Sequence, residues 1–366
     1  MAVERRSPAP VLDLSRPSGP IDVELEVSEA AEVLMSLCAL GDGEDWDTYD
    51  LGADWLQARA ESLPAELREA ADRLMLGSMK VAAHLLGIVW ETPRPRTFDA
   101  FMEQLAATDP TDLKLHLFGA YDTSGHLPRD LIERAVRGDG AAAEEFLQTV
   151  AEWTDKQAMV RTVLETPGEE LKETFLDLLP RWRELVFLPF EPEWRAAAER
   201  DASAKQALAK QHRPEQLVEL ATSGYQYTPS PAIRRIAFFP SWWMRPWVIL
   251  WEHKSTKIFC YPIAPAPDEA ASPAEVARVY KALGDEGRLK LLRRLSEGPL
   301  KLSEAAVELG VAKSTAHHHL AILRQAGFVT IRDEDENVYS LRTDLPQTGE
   351  LLAAYLGSSR SSATTA

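Results

Sequence analysis

Cysteine is scarce in this chain: Cys38 and Cys260 are the two among 366 residues. Two thiols build neither a disulfide framework nor a cysteine-rich metal centre, and in a reducing compartment they stay reduced. No run of about 18 apolar residues occurs, so no membrane-spanning helix is expected. The start Met1-Ala2-Val3-Glu4-Arg5-Arg6-Ser7-Pro8 lacks the apolar stretch of a secretory signal, which points to a cytoplasmic protein. Catalytic motifs are missing as well: there is no nucleophile elbow, phosphate loop, dinucleotide fingerprint or HExxH. Acidic pairs such as Glu144-Glu145 and Glu169-Glu170 fall on polar helix faces and read as solvated. The expectation is a non-enzyme without a resident metal or cofactor.

A basic excess is also lacking. The net charge is −17, with 40 Lys and Arg against 57 Asp and Glu. The deficit is uneven. Residues 272–345 hold 11 basic and 11 acidic side chains, so all of the negative charge rests on the remainder. An acidic body repels a polyanion unless it is held away from it, and any DNA affinity should be modest and salt-dependent.

The length suits two domains or more. Residues 1–20 are rich in Pro, Ser and Arg and read as a flexible tail. Strict alternation over 21–27 predicts a strand with one wet face. Ser28 then caps a helix with Glu29 and Glu32 in its first turn. From 47 to about 224 the pattern is helical, with start signals at Pro64, Thr97 and Asp109-Pro110. Pro180 should kink or split the run over 169–188. The texture then changes, and strands are expected over 233–240, 247–251 and 257–261. With the strand at 21–27 they suit one small mixed sheet. The body therefore reads as 21–262, mainly helical with late strands, and 263–271, with Ala264-Pro265-Ala266-Pro267, as a linker. The tryptophans of this body are core or line an apolar ligand pocket. Those of the stretch Trp242-Trp243-Met244-Arg245-Pro246-Trp247 cannot all point inward.

The most informative stretch is near the C-terminus. Apolar residues recur at helical spacing through Leu302, Ala306 and Leu309, Gly310 breaks the run, and a second helix follows through Ala316, Leu320 and Leu323. This is a helix-turn-helix pattern. Lys313, Ser314, Thr315, His317 and His318 lie on the side away from the apolar stripe, as donors suited to a major groove. Gly327 ends the helix. Strands over 328–332 and 338–342 flank the turn Asp333-Glu334-Asp335-Glu336-Asn337, which gives a winged helix. The fold class is thus mainly α with small β elements: a large helical domain with a small sheet, then a winged helix.

Residues 272–356, followed by a short tail over 357–366, resemble the ArsR-type (ArsR/SmtB) winged-helix regulators. The resemblance is carried by Ala282-Leu283-Gly284-Asp285-Glu286-Gly287-Arg288-Leu289-Lys290-Leu291-Leu292, Ser314-Thr315-Ala316-His317-His318-His319-Leu320 and Leu323-Arg324-Gln325-Ala326-Gly327-Phe328-Val329. It implies a dimeric repressor of double-stranded DNA. The dimer would use the first and last helices, through Val276, Val279, Tyr280 and Leu283 on one and Leu351, Leu352, Tyr355 and Leu356 on the other. Two recognition helices would then enter successive major grooves about 10 base pairs apart. Besides the five helix residues, Arg324, Arg332, Asn337 and Tyr339 are expected at DNA. The body, with Phe239-Pro240-Ser241 before a strand, resembles an uncharacterised domain that precedes such winged helices in other bacterial regulators. It is expected to dimerise or to receive a small-molecule or protein effector.

Departures from the family pattern matter. The helix over 302–309 has no Cys or His, and the last helix offers Glu350 alone, so neither of the family's metal sites carries over. Consecutive His317-His318-His319 point about 100° apart and cannot converge on one ion. His319 is expected to pack inside the domain, while His317 and His318 face DNA or solvent. Ala312 replaces a capping Ser, at a cost of about 1 kcal/mol. The acidic wing tip cannot hold phosphates. These departures keep a second reading open, in which the chain is a protein-interaction module whose winged helix no longer binds DNA.

Overall fold

The computed structural model describes residues 20–361 except 44–45, 76–80, 123–126, 152–153, 265–272 and 333–336. The alternating segment forms β1 (Asp22–Leu25). Ser28, extended at φ −117°, accepts from the N–H of Ala31 and starts α1 (Glu29–Gly41). This helix is buried without interruption from Ala30 to Leu40. A helix buried on all sides belongs in the middle of a core.

The chain then builds α2 (Ala53–Glu61), α3 (Ala65–Met75), α4 (Leu86–Glu91), α5 (Phe98–Ala107), α6 (Pro110–Leu117), α7 (Arg129–Val136), α8 (Gly140–Thr149), α9 (Thr154–Glu165) and α10 (Gly168–Trp182). Helices α3, α4, α5 and α10 pack on α1, while α7, α8 and α9 extend outward from α6. The expected caps form: Thr97 accepts from the N–H of Ala100 and Asp109 from that of Thr111, with Pro110 at the first helical position. Pro180 does not split α10. The helix continues to Trp182 and then widens into a π-turn, Arg183–Phe187. Two more helices complete the series, α11 (Glu191–Ala209) and α12 (Pro214–Ala221).

After the short β2 (Tyr225–Gln226) come β3 (Arg235–Ser241), β4 (Ile249–His253) and β5 (Thr256–Pro262). The order β1-β3-β5-β4 gives the mixed sheet expected from the sequence. β1 and β5 run parallel to β3, and β4 pairs antiparallel with β5. Side chains alternate across this sheet, and each face joins a different core. Ala237, Phe239, Ile258 and Cys260 enter the helical core around α1. Ile236, Phe238, Phe259 and Tyr261 enter a second core, shared with α12 and the C-terminal module.

That module is α13 (Pro273–Leu283), α14 (Glu286–Leu295), β6 (Leu300–Lys301), α15 (Leu302–Leu309), α16 (Lys313–Gln325), β7 (Val329–Arg332), β8 (Val338–Leu341) and α17 (Thr348–Ser361). Its sheet has the order β2-β7-β8-β6, so β2 of the body adds a parallel strand to the wing. The close approach needs Gly224, at φ 103°, where a Cβ would meet the Thr330 side chain at 3.1 Å. Most of the linker expected at 263–271 lies outside the described residues.

Trp243 and Met244 are fully buried, while Trp242 and Trp247 pack at the edge of the core, so the stretch does not point inward as a whole. The same corner holds a buried carboxyl. Glu32 accepts from the N–H groups of Trp242 and Trp243 at 2.7 and 3.0 Å. Burial outweighs these bonds and pushes its pKa up from 4.5 to about 7. A carboxyl raised on folding binds its proton more tightly in the folded chain, so its contribution falls as pH rises from about 4.5 to 7. Stability should therefore drop by about 3 kcal/mol across this range through Glu32, and Glu32→Gln should remove that part of the slope. Denaturant unfolding of both proteins at several pH values checks this; parallel pH profiles would contradict it.

Candidate nucleic-acid interface

The recognition element is built from its turn outward. Gly310 closes α15 in the left-handed region at φ 67°, ψ 34°, and the N–H of Val311 returns to the Ala306 carbonyl at 3.1 Å. Ala312 takes the cap position of α16 with no side-chain bond, as its identity predicts. Ala316, Leu320 and Leu323 are fully buried and fix the inner face of α16. On the outer face Lys313, Thr315 and His317 are exposed and His318 is half-buried; Ser314 lies in the same first turn. The first two turns of one helix thus present a cation, a hydroxyl and two imidazoles, while its remainder is anchored in the core.

His319 packs inside the domain. Its Nδ1 lies 3.6 Å from Asp285 Oδ1, and burial pushes its pKa down. Asp285 also accepts from the N–H of Arg288 and caps α14. That bond holds its carboxyl below the usual range.

In the wing, β7 and β8 pair antiparallel with Val329 opposite Leu341 and Arg332 opposite Val338. Arg332 is exposed and Asn337 half-buried, at the two sides of the tip; the acidic tip itself, 333–336, lies outside the described residues.

Two expected DNA contacts are turned inward instead. Arg324 is 8% exposed and donates from Nη1 to the Thr222 carbonyl at 3.2 Å. Burial pushes its pKa down. Tyr339 is 1% exposed, and burial pushes its phenol up to about 12. Arg324 is held at the end of α12, and Tyr339 packs in the core that the module shares with the body. Val279 is likewise 5% exposed within its own chain, which leaves it almost nothing to bury against a second copy. The other expected dimer residues are open or half-open: Tyr280 is 40% exposed, and Val276, Leu283, Leu352 and Tyr355 are half-buried. Leu356 is 54% exposed, and α13 packs against α17.

Sequence reasoning missed the ties between body and module. Arg278 donates to both oxygens of Asp50 at 3.1 and 3.0 Å, and Arg245 lies 3.4 Å from the same carboxylate. Lys281 reaches the Asp47 carboxylate at 3.0 Å. The Arg278–Asp50 and Lys281–Asp47 pairs are separated by 228 and 234 residues in sequence, and no local pattern announces them. It also missed a polar knot in the body. Glu91 faces His116 at 3.6 Å and His253 at 3.0 Å, and these hydrogen bonds, with that of Lys254, hold its carboxyl well below the usual range. The two imidazoles stack nearly parallel, 5.1 Å apart at 11°. Among the described residues no group of three or more His, Cys, Asp or Glu is arranged to hold a metal ion. No helix among them is long and apolar enough to cross a membrane.

Comparisons with known proteins agree with the geometry of the module. Residues 285–330 match the family model described as bacterial regulatory protein, arsR family. The chain is 39% identical over 75 residues to an uncharacterized HTH-type transcriptional regulator, YceK, of Bacillus subtilis, covering 20% of this chain and 75% of the relative. It is 39% identical over 69 residues to a cadmium resistance transcriptional regulatory protein CadC homolog of Staphylococcus aureus, 19% of this chain and 57% of that one. A biofilm growth-associated repressor of Agrobacterium fabrum is 31% identical over 75 residues, 20% of this chain and 64% of the relative. The chain therefore spans little more than half the length of the Staphylococcus relative, and these matches leave the large N-terminal body uncovered. No solved structure matches the chain. With three quarters of the Bacillus relative covered by the alignment, the chain belongs to the arsR family of bacterial regulatory proteins.

Proposed function

We propose that this protein is a sequence-specific DNA-binding transcriptional regulator, acting as a homodimeric repressor whose N-terminal body receives a signal. The observation that carries this reading is the recognition helix. Lys313, Thr315 and His317 stand exposed on its first turns while Ala316, Leu320 and Leu323 lock its other face. A helix held this firmly presents its N-terminal side chains to a groove with little freedom left to lose on binding. Lys313 supplies the phosphate or guanine contact, Thr315 and the His317–His318 pair the shorter contacts to base edges, and Arg332 and Asn337 flank from the wing. The name of the Agrobacterium relative supports repression. The half-open apolar strip on α13 and α17, with Tyr280 and Leu356, supports a two-fold dimer. No step here is catalytic, and none needs a metal or cofactor.

Lys313→Ala and Thr315→Ala should each lower affinity for a selected operator by at least about tenfold, with unfolding midpoints unchanged. Fluorescence anisotropy with labelled duplex and thermal melting together check this. Unchanged operator affinity in both variants would contradict readout by the first turns of α16, and failure of the unaltered chain to select any operator would favour the protein-interaction module instead.

A further inference from the structure

The seam between body and winged helix contains a cleft of about 460 Å³, within the range of small-molecule sites. Its walls come from the end of α12, the end of β5, α13, the last turn of α16 and the start of α17. Apolar side chains, Leu220, Ile263, Val279 and Leu351 among them, supply part of the lining. Among the described residues the charged part is lopsided, with five basic side chains against the carboxylates of Asp50 and Glu275. Asp50 is shared by Arg245 and Arg278. Lys205 and Arg342 each have an aspartate of their own, Asp201 and Asp344.

Arg324 is different. Its guanidinium is more than nine-tenths buried, it donates to the Thr222 carbonyl, and no carboxylate among the described residues lies within 4.0 Å of it. Beside it in the wall, Gln325 has a buried Nε2 with no hydrogen-bond partner. A buried cation without a counter-ion and a buried donor without an acceptor are both costly, and both border the same cleft. A planar guanidinium is moreover matched to a carboxylate, which it can bind through two parallel bonds.

The geometry points to this cleft as the effector site, taking a small organic carboxylate with an apolar body. The carboxylate sits against Arg324, and the apolar part lies along Leu220, Val279 and Leu351. This deepens the regulatory reading and rests on it only for the consequence at DNA. The cleft touches α16 at its C-terminal end, about 18 Å along the helix from Lys313. A ligand bound there contacts body and recognition helix together, so it biases how that helix is held without competing for the DNA face.

The test uses the full chain and isothermal titration calorimetry with benzoate, 1-naphthoate and octanoate. Their neutral amides and inorganic phosphate serve as comparisons. At least one carboxylate is expected to bind, with its amide weaker by about tenfold or more, the equivalent of one charge-assisted hydrogen bond. Gln325→Glu places a carboxylate beside Arg324 from within the chain. It should weaken the bound acid by a similar factor and leave the thermal midpoint equal or higher. Lys313→Ala should bind the acid as the unaltered chain does. Binding of none of the three acids would overturn the proposal, and so would equal binding of acid and amide, or equal binding to Gln325→Glu. Acid binding in a chain that selects no DNA sequence would leave the cleft standing and remove the regulatory reading alone.

Discussion

The parallel pairing of β2 with β7 is the constraint on which the arrangement depends. It turns two otherwise separable pieces into a body that shares a core. Tyr225 aligns with Ile331, the N–H of Ile331 donates to the Gly224 carbonyl at 3.0 Å, and Arg324 closes the seam on Thr222. The outer face of the first sheet, with Phe238, Phe259 and Tyr261, then packs into the core that also holds Leu320 and Leu323 of the recognition helix. Anything that alters the body near α12 is felt by α16 through contacts of a few ångströms.

The charge distribution fits this placement. The body carries the net −17, and its carboxylates Asp47 and Asp50 are spent on Lys281 and Arg278 of the DNA module, on the side of α13. Those cations are thereby withdrawn from DNA. Lys313 stands exposed in the first turn of α16, and Arg332 lies exposed on β7, paired with Gln226 of β2. With an acidic body and a module of balanced charge, we expect few phosphate contacts and a larger share of the binding from sequence readout by α16 than in a basic protein.

Much of the fold was legible because its signals are local. The alternation over 21–27, the caps at Ser28, Thr97 and Asp109, and the Gly310 break between α15 and α16 each depend on neighbours a few residues away. The exposed face of α16 follows from helical periodicity alone. What could not be read was long-range. β2 is two residues long and carries no strand pattern. Arg324 and Tyr339 have the chemistry of DNA contacts, and they are buried, Arg324 against the end of α12 and Tyr339 in the core shared with the body. Val279 sits on the expected apolar stripe but faces its own chain. The cleft gathers side chains from Asp50 to Leu351, and no spacing rule connects these.

The central claim is that the first turns of α16 read DNA from a dimer. Selection of bound duplexes from fragmented genomic DNA by the full chain, at low and at moderate salt, tests it most directly. The account predicts recovery of a near-palindrome with half-sites about 10 base pairs apart, retained at moderate salt. Recovery of unrelated sequences that dissociate as salt rises would contradict it.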